Sequence, residues 1–177
     1  MEDIQANSAI KFGSISAARA AFFVAMVAVA VVIPFAKFQP VVGSVVNATL
    51  FLSVYYLGIS GGIMVGLLPS VISLSVGLLP LVLAPVIPFI MLSNALLAVV
   101  FGTLRMKTLP GAVFVAALAK FVFLWSLTYL LAGFLTQSHG LQLVAKMFGP
   151  VQFLTAFAGG LVFLVAIKAQ SRYFPKR

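Results

Sequence analysis

Lys120 stands alone in an apolar run, AALAKFVFLW at residues 116–125. An ammonium in hydrocarbon costs about 2.5–3.5 kcal/mol on insertion scales, so it must reach water, lean on neutral dipoles or pair with an anion. The only acids of the chain are Glu2 and Asp3, at the extreme N-terminus. A full counter-charge for Lys120 is therefore expected from outside the chain. Asn47, Asn94, Gln152 and Thr155 lie inside other apolar runs. Side chains of this kind either link helices by hydrogen bonds or contact a ligand, and both readings are open for each of them.

Little else in the sequence offers chemistry. There is no cysteine and a single histidine, His139. Disulfides, iron–sulfur clusters and thiolate catalysis are excluded, and no metal cage can be assembled from protein ligands alone. No acid pair, Ser-His-Asp set or phosphate-binding loop is present, so neither catalysis nor ATP hydrolysis is expected. No cofactor is expected either.

These residues must be positioned by membrane helices. The 177 residues are 63% hydrophobic and 7% charged, against about 25% charged in soluble domains. Too few charges are available to cover a water-facing surface. The spacing of prolines, glycines and polar breaks predicts an all-α, single-domain bundle of six spans. They run over about 17–35, 41–57, 62–78, 86–104, 109–135 and 145–167. Gly58-Ile59-Ser60-Gly61 is expected as a tight turn, and Thr136-Gln137-Ser138-His139-Gly140 as a polar connection. Met1 to Asn7 is acidic, and Pro34 to Pro40 lacks a small-residue cleavage pattern. The first run therefore reads as a helix rather than a secretory signal.

An even number of spans puts both termini on one side. That side would carry Lys11, Arg19, Arg105, Lys107, Lys168, Arg172, Lys176 and Arg177, against only Lys37 and Lys146 on the other. Eight against two predicts cytoplasmic termini. The net charge of +9 is thus a topology signal, and nucleic acid is not an expected partner.

Helix rise then gives depth. Lys120 is about 11 residues, or roughly 17 Å, above the cytoplasmic start of its helix. Asn94 lies roughly 12 Å below the outer face, and Gln152 and Asn47 roughly 9–11 Å below it. Four polar side chains from four helices share one layer in the outer half of the membrane, with Ser93 and Thr155 near it. Trp125 and Tyr129 sit one and two turns above Lys120. They form either an interfacial belt or an aromatic wall over a ligand. Ala17, Ala21 and Ala25 repeat every four residues at the cytoplasmic end of the first helix, where small residues permit close helix approach. Gly58, Gly62 and Gly66 repeat likewise and read as internal packing.

The run NATLFLSVYYLGISGGIMVGLLPSVISLSVG, then PVIPFIMLSNALLAVVFG, with the alanine row and six helices in under 200 residues, resembles the substrate-binding S component of an energy-coupling factor (ECF) transporter. The likeness covers about residues 15–167 and is one of pattern rather than strict motif. It implies a small protein of a prokaryotic cell membrane that captures a vitamin or similar micronutrient from outside. Its partners would be a transmembrane coupling subunit and two ATPases. The resemblance places the coupling subunit on Ala17, Ala21 and Ala25. It places the ligand against Phe38, Gln39, Asn94, Lys120, Gln152 and Thr155. Asn47 and Trp125 join this candidate set from the depth reading.

The expected ligand is a small anion with an apolar body. A tetrapyrrole with His139 as axial ligand is an alternative within the same class. An autonomous anion channel lined by Lys120 and a structural subunit are alternatives of other classes. A proton-coupled carrier is disfavoured, because such carriers use intramembrane carboxylates or histidines.

Overall fold

A computed structural model describes residues 17–78, 81–132 and 138–173. Its regular structure is helical, with no strand among the described residues. The α-helices are α1 (Ala17–Val32), α2 (Gln39–Leu57), α3 (Ile59–Ser75), α4 (Ile87–Leu104), α5 (Leu109–Ala132), α6 (Ser138–Phe148) and α7 (Pro150–Tyr173). Among the described residues five segments are long and apolar enough to cross a membrane, and α3, at 17 residues, is shorter. Large aliphatic side chains such as Val24, Leu154, Val162 and Val165 face outward, while Asn47, Asn94 and Lys120 are buried. This inside-out polarity is that of a membrane-embedded bundle.

The helix ends follow from local chemistry. A 3₁₀ turn, Ile33–Ala36, ends α1; Lys37 then takes a left-handed conformation (φ 57°) and its N–H donates to the Pro34 carbonyl. Pro40 opens α2, where a missing N–H costs nothing. Gly58 alone reverses the chain between α2 and α3 at φ 87°, a backbone that glycine adopts without strain. The expected four-residue turn is thus a single residue, and α3 begins at Ile59 rather than Gly62. It ends at Ser75 rather than Leu78. There the Gly77 N–H bonds to the Leu74 carbonyl and the Leu78 N–H to that of Ser73, with Gly77 at φ 71°. This Schellman geometry satisfies the last carbonyls of the helix.

The other departures lie near the third and sixth spans. Pro69 sits inside α3 and is buried, as helices in membranes tolerate when neighbours cover the freed carbonyl. Residues 138–148, expected as a connection and the start of the last span, form the separate helix α6. Gly149 and Pro150 divide it from α7. Helix α7 therefore starts at Pro150 and runs on to Tyr173, while the apolar segment able to cross a membrane, Val144–Ser171, begins within one residue of the expected start. Residues 133–135, the expected end of the fifth span, lie outside the described residues.

Helix α2 is the central element, packed on α7, α3, α1 and α4. It meets α7 at backbone distance: a Cβ added to Gly159 would lie 2.5 Å from the Ser44 carbonyl oxygen and 2.8 Å from the Ala48 nitrogen. Gly62 and Gly66 of α3 instead make room for side chains of α2, those of Val54 and Leu50. Phe51, Phe101 and Phe163 form a buried aromatic cluster with ring centroids 4.9–5.8 Å apart. At that end of the bundle Arg105 caps α2, donating to the Val54 and Tyr55 carbonyls at 2.6 and 2.8 Å.

Candidate functional site

Lys120 is 3% exposed. Its ammonium donates to Oδ1 of Asn47 at 2.8 Å and to Oδ1 of Asn94 at 2.7 Å. Each asparagine is oriented from behind: Asn47 Nδ2 donates to the Gly43 carbonyl and Asn94 Nδ2 to the Gly66 carbonyl, both at 2.7 Å. An amide whose NH₂ is already engaged presents its oxygen to the cation. Helices α2, α4 and α5 thus converge on one charge, and α3 fixes one of its acceptors through a backbone carbonyl. The two amides take two of the three ammonium donors, and charge-assisted bonds of this kind are about twice as strong as neutral ones.

The same three side chains line a cavity of about 320 Å³. It lies at the end of the bundle where α2, α4 and α7 begin and α3 ends. Gln39, Gln152 and Thr155 join the lining, with Ser70 and Ser73 from α3. Val42, Val46, Pro69, Ile90, Met147 and Val151 make it mainly apolar. Gln152 Nε2 donates to the Met147 carbonyl at 2.8 Å, tying the start of α7 to the end of α6. Beyond Lys120 the helices close. Phe51 follows Asn47 by one turn, Phe101 follows Asn94 by two, and both are fully buried. The lysine and its two asparagines therefore form a floor above a solid core.

Six of the residues singled out from the sequence meet here: Lys120, Asn94, Asn47, Gln152, Thr155 and Gln39. Phe38 and Trp125 do not line the cavity. Phe38 precedes α2 and points outward, 62% exposed. Trp125 is five residues from Lys120, about 140° around the helix. It belongs instead to a partly exposed row, Phe121–Trp125–Tyr129, with ring centroids 5.9 Å apart. Ser93 turns to its own helix and bonds the Ile90 carbonyl. Ala17, Ala21 and Ala25 all face outward, while the other side of α1 packs Phe22 edge-on against Tyr56. The side chain of His139 lies outside the described residues. No cluster of metal-ligating side chains occurs among the described residues.

Sequence reasoning missed Lys146, which lines the cavity from the last turn of α6. The available signal was the spacing of Leu141, Val144 and Phe148, three and four residues apart, which marks an amphipathic helix. It also missed the placing of Lys37. A second cavity abuts the first, shares Pro34, Gln39, Val42 and Ser73 with it, and adds Lys37 to the lining.

Comparison of the chain with protein-family models, curated proteins and solved structures gives no match. Any functional reading rests on the chain's own residues.

Proposed function

We propose that this protein is the substrate-capture subunit of an ECF-type importer, taking up a small anionic micronutrient from outside the cell. In this reading six segments span the membrane of a prokaryotic cell with both termini cytoplasmic, and the cavity opens outward. A coupling subunit docks on the outward-facing Ala17, Ala21 and Ala25, and two ATPases power release.

The observation that carries the proposal is the buried Lys120 at the base of a cavity, solvated by two amide oxygens and paired with no carboxylate among the described residues. Neutral amides solvate an ammonium only in part, which leaves an anion's charge as a further source of binding energy. The remaining ammonium donor, Gln152 and Thr155 supply polar contacts, and the aliphatic walls hold an apolar body, as in most small-molecule pockets. The closed core beneath Lys120 favours capture over conduction, because a channel needs a continuous path past the lysine. A cavity of about 320 Å³, near the lower end of the usual 300–1,000 Å³ range, favours a compact ligand over a tetrapyrrole.

Native mass spectrometry of the protein released gently from lipid nanodiscs tests the proposal. The expected result is a small acidic adduct on the parent that is lost from Lys120→Met. An adduct retained equally by both proteins contradicts it.

A further inference from the structure

The cationic residues at the cavity end of the bundle are not scattered. Among the described residues the basic side chains there are Lys37, Lys120 and Lys146, and each lines one of the two abutting cavities. Arg19, Arg105, Lys107 and Lys168 fall near the opposite helix ends. No carboxylate stands among the described residues, so nothing there neutralises the cavity. Lys120 is buried at the floor, and Lys146 is exposed at the rim.

Helix rise sets the distance between them. Lys146 lies just before α7, which starts at Pro150. The floor is level with Thr155 to Gly159, since a Cβ on Gly159 would lie 2.8 Å from that of Asn47. Five to nine residues of α7 separate the two levels, roughly 8–13 Å. The long stem of Lys146 can bend part of the way down. Between the two cations the wall is apolar, with Ile90, Met147 and Val151.

We infer that the ligand is an elongated dianion, with one anionic group on Lys120 at the floor, a short apolar body against the aliphatic wall, and a second anionic group under Lys146. This rests on the small-anion reading above and narrows it. Lys146 also suits the C-terminal end of α6, where a cation meets the helix dipole. That role needs no ligand and predicts no preference among anions. Steering by a rim charge would raise capture rates in proportion to ligand charge but would set no preferred chain length.

The test uses the full chain in lipid nanodiscs. Calorimetry would measure straight-chain α,ω-dicarboxylates from succinate to sebacate, each beside the monocarboxylate of the same length. The expected result is an affinity maximum at one intermediate length, with the diacid at least tenfold tighter than its monoacid. Lys146→Gln should abolish that advantage by weakening diacids at least fivefold more than monoacids. Lys120→Met should weaken both classes. Equal affinity for diacids and monoacids, with loss on Lys120→Met, overturns the dianion inference and leaves the small-anion reading standing. A diacid advantage that survives Lys146→Gln overturns the role of Lys146. Binding of neither class overturns both readings.

Discussion

Asn94 Oδ1 accepts from the Lys120 ammonium at 2.7 Å while its Nδ2 donates to the Gly66 carbonyl at the same distance. One side chain thus couples a buried charge on α5 to the backbone of α3. The coupling makes the two partners unequal. Removing the lysine leaves two amide oxygens facing a cavity that water can enter. Removing the amide leaves a buried ammonium with one acceptor fewer, which is the costlier loss.

Asn94→Leu is therefore expected to destabilise the protein by about 1–3 kcal/mol, the usual penalty for stranding a buried polar group. Lys120→Met should carry no such cost. The double substitution should be less damaging than the sum of the two, because the leucine then strands no charge. Thermal unfolding in detergent across this cycle provides the check. Additive losses would show that the two residues do not depend on each other.

Gly159 sets the distance between α2 and α7. A methyl group there would meet the Ser44 carbonyl and Ala48 nitrogen, which are backbone atoms and cannot rotate away. Gly159→Ala should push the helices apart and cost about 1–3 kcal/mol, as overpacking does. Asn47 lies within the affected turn, so ligand affinity should fall as well. Unchanged melting would mean that the interface yields more easily than its geometry implies.

The six apolar runs and the polar layer were legible in the sequence for one reason. Rise along a helix is fixed, so position along a span translates into depth, and residues on four helices can be compared without knowing their rotation. Rotation itself was not legible, because α2, α4, α5 and α7 are apolar all round. That is why Trp125 joined the candidate set although it does not line the cavity, whereas Phe38 entered through the resemblance alone. Helix α6 was obscured by Ser138, His139 and Gly140, which form its first turn but read as part of a polar connection, and Lys146 was counted only as a topology signal. The Schellman ending of α3 depends on Gly77 in a stretch that otherwise reads as more helix.

Topology is open to direct measurement, since the chain has no cysteine. Lys37→Cys and Lys146→Cys should react with a membrane-impermeant maleimide added to intact cells, and Lys107→Cys only after lysis. The basis is the eight-to-two division of basic residues. Reaction of position 107 in intact cells would invert the orientation and turn the cavity inward.

Ala21 faces outward on the least covered helix of the bundle. Ala21→Leu should leave the melting temperature of the isolated chain unchanged, because no internal contact is disturbed. It should prevent recovery of a coupling subunit in a pull-down, since bulk on a small-residue face blocks close helix approach. Stoichiometric recovery would remove the alanine row from the docking surface without bearing on the cavity.

Lys120 carries the central claim, and the most direct test is the affinity of Lys120→Met for a small carboxylate that the parent binds. Methionine keeps the stem and removes the ammonium. The account predicts a protein that inserts and folds at least as well as the parent, yet binds at least tenfold more weakly, a loss of about 1.4 kcal/mol or more. Lys120→Arg should fall between the two, because the charge persists while the guanidinium needs a different geometry. A Lys120→Met protein that binds like the parent but unfolds readily would contradict the account, and would make Lys120 a structural residue held by Asn47 and Asn94.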